Sequence, residues 1–167
     1  ESLLRRPPEF EGAHDPHVWF DVSLWITVAD KIREELGKAA PQHKALFDAN
    51  HATLLTEMQQ LHQWCKEQIA TIPKQRRVLI TAHDAFGYFG QAYDIEVGGI
   101  QGISTEDEAG VGEINQLIDF IAGRGIKAVF VESSVPRKNI EALIEGARSK
   151  SAPLKIGGEL FSDAMGA

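Results

Sequence analysis

The sequence predicts an α/β protein with a parallel sheet, and three features carry that prediction. Beyond Pro73, short β-rich apolar runs alternate with helical stretches, the pattern of parallel strands joined by right-handed crossovers. Ahead of Pro73, the run 41–72 has no glycine and no proline after its first residue, so it reads as one long helix. The stretch VLITAHDAFGYF at 78–89 passes from an apolar run into a helical pattern through His83 and Asp84. A buried strand followed by a tight turn has this form. It leaves His83 at the carboxyl end of a strand, where open α/β sheets hold their ligands.

Size and composition bound the rest. A chain of 167 residues with 43% hydrophobic content suffices for one full domain, or a domain plus a fragment. No stretch approaches the roughly 18 consecutive apolar residues of a membrane span. The formal charge of −7 argues against nucleic acid as a partner and fits a cation binder and an ordinary soluble protein equally. The single cysteine, Cys65, cannot form an internal disulfide; among Leu61, Trp64 and Ile69 it reads as a small packed hydrophobe. The opening ESLLRRPPEF reads like the middle of a longer chain, and GGELFSDAMGA follows the last strand with no helix to cover it. The expectation is a chain cut short at both ends.

Taken in order, residues 1–11 are charged, proline-bearing and loop-like. Asp15 as N-cap and Pro16 at the first helical position open a helix over 16–36, closed by Gly37. His17 then lies in the first turn, where the helix dipole keeps imidazole neutral and able to donate a lone pair. His14, in the preceding loop, reads as a solvated histidine or a second ligand. On the helix 41–72, Phe47, Leu54, Met58, Leu61, Cys65 and Ile69 line one face, and Glu57, Gln60, Gln63 and Lys66 the other. It would span ~45 Å at about 1.5 Å per residue. His43, His51 and His62 read as surface histidines; the last two share a face but stand ~16 Å apart along the axis, too far for one ion.

Past Pro73 the expected strands are 78–82, 95–98, 127–131 and 154–157, with helices at 85–93, 108–123 and 136–150. Asp84 is the N-cap of the first helix, Gly123 and Gly125 close the second, and Ser134 with Pro136 opens the third. Strand ends bring His83, Glu132 and Asp163 to one edge of the sheet. Histidine and carboxylate converging from separate strands form a metal-site constellation, suited to zinc, manganese or iron. His83 can also be read as a buried histidine bonded to backbone. Glu132 can be read as a ligand, a general base or a cap for the helix at Pro136. Ser133 and Ser134 lack the GxSxG elbow, and Gly98, Gly99 and Gly102 lack phosphate-loop spacing and read as turn glycines.

DPHVWFD at 15–21, VLITAHDAFGYF at 78–89, GIQGISTEDE at 99–108, FVESSVP at 130–136 and GGELFSDAMG at 157–166 together resemble the zinc/manganese-binding receptors of bacterial ABC importers, the TroA-like solute-binding family. The resemblance runs in order from Asp15 onward. It implies two α/β lobes joined by one long linking helix: a remnant of the N-terminal lobe at 1–40, the helix at 41–72, and a C-terminal α/β lobe lacking its last helix at 73–167. It implies a metal between the lobes, held by His17 from the first and by His83 and Asp163 from the second. Glu132 would stand behind the ligands or join them. A fourth ligand, a histidine earlier in the N-terminal lobe, has no counterpart here. A nitrogen-rich set favours Zn2+, with Mn2+ or Fe2+ as alternatives.

The function implied is a monomeric receptor, periplasmic or lipid-anchored outside the cytoplasmic membrane, that takes up a divalent metal ion and hands it to an ABC permease without catalysis. This fragment alone is expected to bind metal weakly or not at all. A second reading is a zinc-dependent hydrolase with Glu132 as base. A third is an α/β domain whose histidines are incidental.

Overall fold

The computed structural model describes residues 3–7, 12–102 and 110–166; the ISTEDE end of the third motif and the expected helix start at 108 lie outside them. The element order is α1 (Val22–Ala39), α2 (Lys44–Ala70), β1 (Val78–His83), α3 (Gly87–Tyr93), β2 (Glu96–Gln101), α4 (Val111–Arg124), β3 (Ala128–Glu132), α5 (Lys138–Ser149) and β4 (Lys155–Leu160), with short 3-10 turns among them. Strand and helix alternate after Pro73 as the pattern predicts.

The strands form two parallel ladders, β1 with β2 and β3 with β4. A single four-stranded ladder is not seen among the described residues: β1 and β3 lie side by side without pairing. Alternation sorts the strand residues between two faces. Ile80 and Ala82 of β1 and Val129 and Val131 of β3 point into a core closed by Ile118, Ile121, Ile140 and Leu143 from α4 and α5. Removing each of the larger side chains from water contributes about 1.5–3 kcal/mol. The intervening residues of the two strands face the other way, so His83 and Glu132 end up side by side on the face opposite the core.

Several helix boundaries differ from expectation. Helix α1 begins at Val22, capped by Asp21, whose carboxylate accepts the Ser23 N–H at 2.9 Å. Residues 18–20 form a 3-10 turn, so neither Asp15 nor Pro16 opens the helix, and Gly37 lies within it. His17 therefore precedes the helix rather than occupying its first turn. Helix α3 begins at Gly87 with Phe86 as its cap, not Asp84. Helix α5 begins at Lys138 and has no side-chain cap. Gly125 closes α4 as expected, at φ +62°, which suits a residue without Cβ. Gly123 lies inside α4.

Gly98 and Gly99 are strand residues, not turn residues. A Cβ on Gly99 would fall 2.5 Å from the Asp84 nitrogen and 2.6 Å from the His83 carbonyl carbon, so its lack of side chain lets β2 lie against the end of β1.

Helix α2 is the long helix predicted, shorter than the expected 41–72 because Pro41–His43 form a 3-10 turn ahead of it, and about 40 Å long at 1.5 Å per residue. It packs against α1. Its apolar stripe is only partly covered: Met58 is buried while Leu54 and Leu61 stay exposed, as do Trp25 and Ile32 of α1. No helix among the described residues is long and apolar enough to cross a membrane.

Candidate metal centre

His83 ends β1, and a strand wedged between two neighbours leaves its imidazole no path to water; the side chain is 0% exposed. Glu132 ends β3 beside it and grips it at two points. Its Oε1 accepts the His83 backbone N–H at 2.9 Å, and its Oε2 lies 2.6 Å from Nδ1. Ser162 also bonds Glu132, and Ser134 and Ser162 bond each other through their hydroxyls at 2.8 Å. Glu132 is therefore not a cap for α5, and it meets the His83 ring at Nδ1 while Asp163 meets it at Nε2. It stands behind His83.

Asp163 follows β4, and one of its oxygens, Oδ2, lies 3.0 Å from Nε2 of His83. His17 reaches the same place from the opposite side. Its Nε2 lies 3.6 Å from the other oxygen of Asp163, and its ring meets that of His83 edge to face, with centroids 5.4 Å apart. One ligand atom from each of the three residues falls within 4.8 Å of the other two. His17 and His83 are buried and Asp163 is 30% exposed, so the carboxylate forms the solvent side of the centre.

Burial opposes charge on His83, but the carboxylates of Glu132 and Asp163 outweigh it and raise the imidazole pKa. Burial likewise opposes charge on Glu132, and the contacts from His83 and Ser162 outweigh that, holding its carboxyl below the usual range. Both ring nitrogens of His83 and Oε2 of Glu132 are nonetheless buried without a hydrogen bond of good geometry. Buried polar atoms in that state are costly unless something else engages them. An imidazole backed by a carboxylate on Nδ1, with Nε2 turned toward a second residue able to ligate a metal, is the arrangement of a metal-ligating histidine.

The other histidines lie elsewhere. His14 accepts from Arg6 Nε at 2.7 Å in the loop and stays out of the centre. His43 is exposed as expected. His51 and His62 are half-buried and partnered rather than solvated. The first faces Asp30 at 2.8 Å and the second shares a hydrogen bond of 3.1 Å with the Tyr93 hydroxyl.

Two residues at the centre escape the sequence reading. Asp15, read there as a helix cap, is buried against His17. Trp19 donates its indole N–H to the Ser162 carbonyl at 3.1 Å, joining the His17 segment to the Asp163 loop. For Asp15 the available signal was its position two residues before a histidine. For Trp19 there was none, since the bond spans distant parts of the chain.

Over residues 4–167 the chain matches the family described as ZnuA, zinc-uptake complex component A, periplasmic. It is 48% identical over 160 residues to the manganese-binding lipoprotein MntA of Bacillus subtilis (strain 168), covering 95% of this chain and 52% of that protein. It is 44% identical over 156 residues to the zinc-binding protein TroA of Treponema pallidum (strain Nichols), covering 93% of this chain and 51% of that protein. The chain thus spans about half the length of these curated relatives. The structure of periplasmic zinc-binding protein TroA from Treponema pallidum superposes with a TM-score of 0.95 at 42% identity, over 99% of this chain and 59% of that one.

Proposed function

Since the chain belongs to the ZnuA family of periplasmic zinc-uptake components, we propose that it forms part of an extracytoplasmic receptor that binds a divalent transition metal through His17, His83 and Asp163 and passes it to an ABC permease. The observation that carries this reading is the convergence of the three ligand atoms within 4.8 Å. Ligands on one tetrahedral zinc stand about 3.3 Å apart, so modest side-chain adjustment closes the set around an ion. Two imidazoles and one carboxylate make a borderline nitrogen–oxygen set, better matched to zinc than to manganese, yet open to both. The relatives named for manganese and for zinc are similarly close to the chain, in keeping with that overlap.

On this reading residues 1–40 belong to an N-terminal lobe, 41–72 to a connecting helix and 73–167 to a C-terminal lobe. His17 reaches the ion from one lobe, and His83 and Asp163 from the other. A single continuous helix between lobes resists wide hinge opening, so release needs only a small separation that withdraws His17. The metal is cargo, and the site has no need to activate water. Glu132 supports this over hydrolysis: its Oε1 is committed to the His83 backbone, and its side chain is 0% exposed, out of reach of a bound water. The receptor acts as a monomer outside the cytoplasmic membrane, in the periplasm or on a lipid anchor.

The test is calorimetric titration of the 167-residue chain with zinc and manganese, beside His83→Ala and Asp163→Ala. Weak but saturable one-to-one binding by the wild type, lost in both variants with folding retained, is expected. Equal affinity in wild type and variants would overturn the assignment.

A further inference from the structure

We propose that Asp15 is the positioning residue of this centre, holding His17 so that Nε2, and not Nδ1, meets the ion; this deepens the reading above and rests on it. The Oδ1 atom of Asp15 accepts twice from the same residue, from Nδ1 of His17 at 2.8 Å and from its backbone N–H at 3.0 Å. The pair of bonds sets the direction in which the side chain leaves the backbone and the rotation of the ring. A carboxylate only accepts, so the hydrogen of the neutral imidazole sits on Nδ1 and the lone pair on Nε2. That nitrogen is the one facing Asp163.

Asp15 is itself held from several sides. Arg5 Nε lies 3.6 Å from its second oxygen, and the Asp15 backbone N–H donates to the Arg5 carbonyl at 3.0 Å. The Tyr88 hydroxyl donates to the Asp15 carbonyl at 3.1 Å and accepts the Arg5 backbone N–H at 2.9 Å. Tyr88 is buried on α3, the helix that follows the strand carrying His83. One clamp therefore sets His17 relative to His83 as well as setting its tautomer. Gly87 provides the seat, since a Cβ there would fall 2.0 Å from the Arg5 guanidinium. Asp15 has no cap to serve in its place: α1 is capped by Asp21.

The experiment combines zinc titration of the wild type, Asp15→Ala, Asp15→Asn and His83→Ala with nitrogen NMR of the imidazoles of the metal-free chain. Asp15→Ala is expected to lose about 10–100-fold in affinity, the usual effect of removing such a partner. Asp15→Asn, whose amide oxygen still accepts from Nδ1–H, is expected to recover most of that loss. His17 of the wild type should carry its hydrogen on Nδ1, and in Asp15→Ala it should shift toward Nε2. Equal losses in the Ala and Asn variants would overturn the proposal, because charge and not the hydrogen bond would then be responsible. So would a wild-type His17 with its hydrogen on Nε2, a result independent of whether Asp15→Ala folds. Unchanged zinc binding in Asp15→Ala together with loss in His83→Ala would defeat the Asp15 role alone. Unchanged binding in both would defeat the metal-site reading beneath it.

Discussion

The indole of Trp19 donates to the main-chain carbonyl of Ser162, 3.1 Å away, and its ring stands edge-on to His17 with centroids 5.3 Å apart. One side chain thus touches a proposed ligand from one side and the residue before another from the opposite side. The other tryptophans, Trp25 and Trp64, are 40% and 57% exposed. Zinc addition should therefore change the emission of Trp19 alone, and Trp19→Phe should abolish the metal-dependent signal in a fluorescence titration. Loss of the one hydrogen bond should also weaken zinc binding by about 0.5–1.5 kcal/mol.

Glu132→Ala leaves the buried His83 imidazole without its partner. Breaking such a pair from one side costs about 3–5 kcal/mol. Thermal unfolding followed by circular dichroism should show a clearly lowered midpoint. Glu132→Gln, which still accepts the His83 backbone N–H through its amide oxygen, should lose less stability. The two variants falling equally would show that the backbone bond contributes nothing.

Gly99→Ala places a methyl group against the backbone at His83 and Asp84. Backbone cannot swing aside as a flexible side chain does, so the cost should be about 1–3 kcal/mol in denaturant unfolding. The same shift moves His83 and should reduce zinc affinity in proportion. A variant as stable as the wild type, binding zinc equally well, would mean that the end of β1 has slack.

Both tyrosines of the chain should titrate late. Burial is the main cause for each. It raises the Tyr88 hydroxyl, and it pushes Tyr93 up to about 12, with Cys65 alongside adding to the shift. A pKa higher in the folded than in the unfolded chain means stability is fully present below the unfolded value near 10 and is lost as pH rises through the folded one. Tyrosinate absorbance should stay flat through the ordinary tyrosine range and then rise with unfolding. Early titration of either ring would show that its hydroxyl is open to water.

Local pattern sufficed for most of the architecture. Alternating strand and helix after Pro73, the long uninterrupted helix before it and Gly125 as a helix stop are consequences of side-chain period and backbone sterics within a few residues. The same rules located His83 and Glu132 at strand ends, because a strand's terminus is written in its own residues. Local reasoning failed where two neighbouring segments competed for one role. Asp15–Pro16 and Asp21 are both sound helix openings; the structure places a 3-10 turn at 18–20 and caps α1 with Asp21. Freed from capping, Asp15 could turn to His17.

What the sequence determined by itself is the α/β class and, through motifs spread along the chain, the kinship that makes His17, His83 and Asp163 candidates for one ion. Tertiary structure alone decided how they are aimed. The tautomer of an imidazole, the oxygen each carboxylate presents and the bond from Trp19 to a distant carbonyl all depend on distances between segments far apart in the chain. Such distances have no local signature, since they arise only when separately formed elements pack.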